Sequence, residues 1–380
     1  MQRRHVLGAL AVLAGTAGCL RLEDSAAAST GQDGGDAGAA TTVSTTETST
    51  ATESDTAGET DAAAAVPDYP AGVDEDGLKP YLADTHSSAL SGESFTLRRR
   101  IVDQNHGGTW ENDLYRVASD GTARVTTQFN TEVEKYHSSR GVVWRQTHQG
   151  SVRFGANPIS LPRREFTGYR LLQKLFRAGD FGPPAAPDTG GDVVTWDLEA
   201  EALADPGPLE QRFGATSVNT FGADLTVDER GIVDELVAEF AFDSEYDDTE
   251  QSLLARLETS EVGATSVSEP SWAAEARERS PKLQISMGED RRVVTVTHEG
   301  GDPVPAGAEL SMYDQTGHLG FERLPQAIGT GGRLDVWVEN GRLAMTFGEA
   351  DDASATREFG SRTGVSMMLN GAQYVNRELR

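Results

Sequence analysis

One cysteine in 380 residues, at position 19, constrains this chain more than any other feature. A lone thiol can form no disulfide within the chain, so whatever folds must be held by apolar burial and hydrogen bonding. The setting of that cysteine matters equally. Arg3-Arg4 is followed by an apolar run from Val6 to Ala14, then by the small residues Gly15-Thr-Ala-Gly18, and then by Cys19. A bilayer-spanning helix needs about 20 apolar residues, and the stretch between Arg4 and Cys19 is too short for one. The order of a positive end, a short apolar stretch and small residues is that of an export signal.

Arg3, Arg4 and Leu7 resemble a twin-arginine signal, with Val6 where Phe is common. Thr16-Ala-Gly-Cys19 resembles a bacterial or archaeal lipobox, with Thr16 where Leu is usual. The expectation is a signal peptide over 1–18 and a mature chain that begins at a lipidated Cys19. Its acyl chains would contribute about 0.8 kcal/mol per buried methylene and hold it on the extracellular face of the cell membrane. From Leu20 to Val66 the chain is almost all Ala, Thr, Ser, Gly, Asp and Glu, with nine acids and the single base Arg21. It holds no aromatic residue and too little apolar surface to offset chain entropy, which predicts a disordered stalk over 19–66.

The charge balance narrows the partners. Sixty acids against 33 bases give a net charge of −27, and only Lys79, Lys135, Lys174 and Lys282 are lysines. Such a chain repels itself in dilute buffer, and at molar salt, where the Debye length is about 3 Å, that repulsion is screened. An acid-rich, lysine-poor composition of this kind predicts a halophilic protein. Nucleic acid and anionic membrane surfaces require a basic face and are poor partners for such a chain, so no nucleic-acid partner is expected.

Beyond Pro67 the hydrophobic pattern alternates at period two for most of its length. Leu78 to Leu90 has helical spacing. Phe95, Leu97, Arg99 and Ile101 then alternate, and strands are predicted at 114–117, 123–129, 132–137, 141–146 and 151–154. Leu171, Leu172, Leu175 and Phe176 mark a second helix closed by Gly179, and strands return at 193–198, 224–228, 232–242 and 252–262. The predicted fold class is α+β: a curved, half-barrel-like antiparallel sheet with two helices over 67–272. Ala273 to Arg279 reads as a polar connector. About seven short strands over 280–380 predict a small all-β sandwich.

The opening Tyr69-Pro-Ala-Gly-Val-Asp-Glu-Asp-Gly77, the segment Ser88-Ala-Leu-Ser-Gly-Glu-Ser-Phe-Thr96 and the closing Pro270-Ser-Trp272 resemble a haloarchaeal lipoprotein family of unknown function. The strand order is similar to lipoprotein-carrier folds of the LolA and LppX type, half-open barrels with helices plugging an apolar cavity. That resemblance implies a cavity for an acyl chain or other apolar ligand, and it brings no catalytic residues. Val294 to Gly307 resembles a segment of haloarchaeal secreted and pilin-like β domains.

No residue pattern predicts an enzyme or a cofactor. There is no Gly-x-Ser-x-Gly elbow, no His-Glu-x-x-His and no Walker-type glycine loop. His137 and His148 lie on neighbouring predicted strands and could meet across a hairpin, but two histidines make a poor metal site. His298-Glu299 with Asp302, and Asp74-Glu75-Asp76, read as turns rather than metal loops. Trp144 and Trp196, if both face the concave side, are the candidate cavity-lining residues. Two functions follow. The first is a membrane-anchored extracellular lipoprotein that binds or carries a lipid or other apolar ligand. The alternative is a non-catalytic envelope structural or interaction protein with no small ligand and with unidentified protein partners.

Two outcomes are expected. Cys19→Ser releases the protein into the medium or leaves it unprocessed, and recovery of a processed variant with the membrane fraction would refute the anchor. Circular dichroism melts should move to lower temperature between molar KCl and dilute buffer, and superimposable melts would refute the halophilic reading.

Overall fold

The computed structural model describes residues 68–380 apart from 129–130, 245–248, 316, 351–354, 370–371 and 380. Arg3, Arg4, Leu7, Cys19 and the stalk lie outside the described residues. Among these, no helix is long and apolar enough to cross a membrane.

A two-stranded hairpin, β1 (Val73–Asp74) and β2 (Gly77–Leu78), leads into α1 (Leu82–Ala89). Six strands follow as a meander: β3 (Phe95–Asp103), β4 (Thr109–Val117), β5 (Ala123–Gln128), β6 (Glu132–Ser138), β7 (Gly141–His148) and β8 (Ser151–Asn157). Residues 158–168 form a strap with a short 3-10 turn at Arg163–Phe166, which delivers the chain to α2 (Tyr169–Ala178). Then come β9 (Gly179–Phe181), β10 (Thr195–Leu203), α3 (Gly207–Phe213), β11 (Ala215–Asp228), β12 (Val233–Ser244) and β13 (Glu250–Ser260). These strands make one curved antiparallel sheet of eleven, in the order β8-β7-β6-β5-β4-β3-β13-β12-β11-β10-β9. It stays open, with β8 and β9 as its edges. The two meanders join where β13 pairs with β3, Ala255 opposite Ile101.

Side chains alternate across a strand, so one face of this sheet collects the apolar set. Phe95, Leu97 and Ile101 of β3, Leu225 and Val227 of β11, and Leu253 and Leu257 of β13 are buried on it. Against them pack Leu82 and Ala83 of α1, Leu171, Leu172, Leu175 and Phe176 of α2, and Leu209 and Phe213 of α3. The two expected helices are therefore present, and two more were not foreseen. One is α3, a seven-residue helix after Pro206. The other is α4 (Ala273–Arg279), at the stretch expected to be a polar connector. Its charges hid a short apolar side: Ala273 and Ala276, with Trp272 before them, pack on Tyr136, Val143 and Phe154. By strand parity this is the face of β6–β8 opposite the one the helices cover.

Eight strands follow, one more than expected: β14 (Lys282–Met287), β15 (Val293–Gly300), β16 (Glu309–Asp314), β17 (Gly317–Arg323), β18 (Arg333–Glu339), β19 (Arg342–Phe347), β20 (Thr363–Leu369) and β21 (Ala372–Leu379). The stretch 367–375, which reads as a single strand in sequence, is the hairpin of β20 and β21. Two antiparallel sheets, β14-β15-β18-β19 and β17-β16-β20-β21, share a core of Val294, Val296, Leu334 and Val336 against Leu310, Met312, Val365 and Met367. This is a small β-sandwich.

The sandwich is seated on the eleven-stranded sheet. Trp144 of β7 belongs to the sandwich core, its ring edge-on to Tyr374 with centroids 5.1 Å apart. Its indole N–H donates to the carbonyl of Gln373 at 2.9 Å, and Gln146 donates to the carbonyl of Leu369 at 3.2 Å. Gly155 of β8 lies directly beneath Trp144, where a Cβ would stand 2.1 Å from the indole. Only glycine lets the ring lie flat there.

His86 of α1 locks three segments together. It is fully buried, accepts from the Val233 amide at 3.0 Å through Nδ1, and donates through Nε2 to the Thr167 carbonyl at 2.9 Å. Burial pushes its pKa from 6.5 down to about 4. A depressed pKa means that the unfolded chain takes up its proton first, so the contribution is complete above pH 6.5 and lost as pH falls towards 4. At roughly 1.4 kcal/mol per pKa unit this is about 3 kcal/mol. The melting temperature should be flat above pH 6.5 and fall between pH 6.5 and 4, with His86→Gln lowering it at pH 7 and flattening part of that fall. An unchanged acid limb in the variant would refute this role.

Candidate functional site

An arginine interrupts the apolar row of β3. The register places Arg99 opposite Asp113 of β4, and Asp113 opposite Thr127 of β5. The next row holds Leu97, Tyr115, Val125 and Lys135 of β6. All point to the helix-covered face. The strap supplies Leu161, Glu165 and Phe166 as a wall, Trp110 forms the rim, and together they bound a cleft of 390 Å³. That volume suits a small ligand or one end of a chain.

The floor is an ion network. Arg99 Nη2 donates to Asp113 Oδ2 at 2.6 Å, and its Nε lies 2.9 Å from Glu111 Oε2. Arg212 of α3 donates to the other Glu111 oxygen. Asp113 also accepts from the Tyr115 hydroxyl at 3.0 Å and from Thr127 Oγ1 at 2.7 Å. Burial works against the Arg99 charge, but Tyr115, Glu111 and Asp113 outweigh it and hold its pKa above the ordinary arginine value. Burial likewise pushes the Tyr115 phenol up. Buried charges require such partners, because an uncompensated one costs several kcal/mol.

Arg99 and Arg212 balance Glu111 and Asp113, which leaves Lys135. No carboxylate lies within ion-pair distance of it among the described residues. Burial lowers its pKa, with the Asp113 charge acting weakly in the other direction. Beside it His137 is 2 % exposed, its Nδ1 3.3 Å from Ser160 Oγ and its Nε2 without a hydrogen-bond partner. The imidazole is edge-on to Phe166 at 4.9 Å. Burial, then the Lys135 charge, lowers the His137 pKa to about 4, so the ring is neutral at pH 7 and adds to the acid sensitivity set by His86. The mouth is apolar. Trp110, exposed on its outer side, is edge-on to Phe213 at 5.8 Å, and Leu161 stands open to solvent. The cleft thus offers one partnerless cation and a few hydroxyl and imidazole groups beneath apolar walls.

The tryptophans expected to line one cavity do not come together. Trp196 is fully buried in the helix-covered core, 6.2 Å from Tyr69. Trp144 does face inward, since it pairs with Lys135 across β6–β7, but the sandwich covers it. His137 and His148 do not meet either, because they sit towards opposite ends of the β6–β7 hairpin, opposite Val142 and Ser151. His298 Nε2 bonds the Asp302 carbonyl at 2.9 Å, closing a turn. Asp74 Oδ1 accepts from the Asp76 amide at 3.0 Å while Lys79 pairs with the other oxygen at 2.9 Å. Among the described residues no group of three or more His, Cys, Asp or Glu is placed to hold a metal ion. Lys135, Asp113 and Tyr115 were not singled out in the sequence. Arg99 within Phe95-Leu97-Arg99-Ile101 was the available signal: a charge at an inward position needs partners on the same face.

No family model matches the chain, and no curated protein does. Among solved structures it is similar to LprF from Mycobacterium bovis, with 11 % identity over 51 % of this chain and 96 % of that one, at a TM-score of 0.29. It is also similar to the Pseudomonas aeruginosa MucA/MucB complex, with 14 % identity over 76 % and 87 % and a TM-score of 0.24. A further similarity is to MucB in complex with MucA(peri), with 12 % identity over 75 % and 85 % and a TM-score of 0.21. Similarity at this level assigns neither a family nor a ligand to the chain.

Proposed function

We propose that this is a lipid-anchored, non-catalytic protein of the extracellular membrane face that binds one amphiphile, apolar in body and anionic at its head, in the cleft beside Lys135. The observation that carries this reading is Lys135 itself: one of four lysines in a chain of charge −27, on an inward strand position, with no carboxylate paired to it among the described residues. Burial penalises its charge, and an anion entering the cleft would restore what desolvation removes. Trp110, Val125, Leu161 and Phe166 supply the apolar contact for the rest of the ligand. Cys19, as a lipid attachment site, would keep this binding site at the membrane where such ligands occur.

The cleft is smaller and more polar than the acyl-chain cavity expected from the carrier-fold resemblance, because three helices and the sandwich fill most of the inner face. One feature favours the alternative of an envelope interaction protein. Tyr313, Phe321 and Met368 are exposed together on the outer face of the β17-β16-β20-β21 sheet. Exposed apolar groups gathered on one face suit protein contact.

Calorimetric titration with decanoate, using the full chain carrying Cys19→Ser in molar KCl, separates the two. Saturable one-to-one binding is expected, weakened at least tenfold by Lys135→Met, with decanol binding more weakly than decanoate. Absence of saturable binding, or equal binding by Lys135→Met, would refute the cleft and leave the interaction reading.

A further inference from the structure

A second groove lies where the sandwich meets the edge of the eleven-stranded sheet, and it shares no lining residue with the cleft at Lys135. It measures 430 Å³ and runs between the end of β8 and strands β14 and β21. Its floor is apolar, built from Ala156, Pro158, Pro281, Leu283 and Val375, and Ile159 stands exposed at its lip.

The charged side chains that line it are all cations: Arg277 of α4, Lys282 at the start of β14 and Arg377 of β21. In a chain with 60 acids and 33 bases, an unselected groove would be lined mostly by carboxylates. Arg277 pairs with Glu269, which does not line the groove. Lys282 and Arg377 are exposed, and among the described residues neither has a carboxylate within ion-pair distance. One wall is Tyr374, which is 5 % exposed. Burial pushes that phenol up to about 12, while the charge and hydrogen-bonding reach of Arg153 oppose the shift.

We propose that this groove binds a phosphate-bearing amphiphile, with its chain along Ala156–Ile159 and Leu283 and its phosphate between Lys282 and Arg377. The chemistry follows from the lining. A neutral lipid would cover the apolar floor but leave two cations without partners. A free anion would neutralise the cations and leave the floor wet. A carboxylate has two acceptor oxygens, whereas a phosphate has three or more and can engage an ammonium and a guanidinium from different strands together. The groove and the Lys135 cleft stand or fall separately, since no residue serves both.

The test is calorimetric titration of the full chain carrying Cys19→Ser and Lys135→Met, the second change removing the cation of the other cleft, in molar KCl, with dodecyl phosphate below its micellar concentration. Inorganic phosphate and dodecyl maltoside serve as the head-only and chain-only probes. Dodecyl phosphate should bind one-to-one and at least tenfold more tightly than either. The double variant Lys282→Gln/Arg377→Gln alters two exposed side chains and should weaken it at least tenfold. Ile159→Ser should weaken dodecyl phosphate without changing the response to inorganic phosphate. Equal affinity for inorganic phosphate would make this a free-anion site and overturn the lipid assignment. Undiminished binding when Lys282→Gln/Arg377→Gln is added, or no saturable binding of dodecyl phosphate at all in the Lys135→Met background, would overturn the proposal.

Discussion

An open sheet of eleven strands with one apolar face cannot stand in water unless that face is covered along its whole width, and the rest of this structure follows from that requirement. Burying apolar area contributes on the order of 25 cal/mol per Å². Exposed, the same area would be an aggregation surface. Helices α1, α2 and α3 cover the strands from β9 to β5. They do not reach β7 and β8. There the sandwich takes over, through Trp144 against Tyr374 and the hydrogen bonds from Trp144 and Gln146 to the β20–β21 hairpin. On the other face α4 closes the same strands. The end of the sheet is held from both sides.

The cleft lies where one cover gives way to the other. Lys135 is opposite Trp144 across β6–β7, so the first position not covered by the sandwich is the lysine. On its other side stand Phe166 and the strap, at the limit of the helical cover. A gap between two apolar covers is where charge can remain half-solvated, and the Arg99, Glu111, Asp113 and Arg212 network occupies it. The second groove has a similar origin, at the outer seam between the sandwich and the edge strand. Both sites are consequences of how large surfaces meet, not of local motifs.

Much of the architecture was legible beforehand. The inward alternation of β3, the amphipathic run of α2 and the β11–β12 hairpin are each set by residues within a dozen positions. In that hairpin Asp228 accepts from the amides of Arg230 and Ile232, at 2.9 and 2.8 Å. Local pattern failed where apolar content was thin. In α4 two alanines among charges were enough once Trp272 and the β6–β8 face were present, and β17 has its exposed edge on the solvent side. At 367–375 the sequence does carry a signal against a single strand, since Asn370-Gly371 between apolar flanks is a hairpin pair.

The sequence by itself determined the antiparallel character of the large sheet and of the sandwich, the two main helices and the charge balance, because each depends on side-chain periodicity or composition along the chain. Its leader and Cys19 set the expected address in the same way. Tertiary structure alone decided which inward residues became core and which became a site. Trp144 and Lys135 face the same side of neighbouring strands, and nothing in their local sequence separates them. What separates them is whether the sandwich, whose contacting residues lie more than two hundred positions away, comes to rest on one or the other.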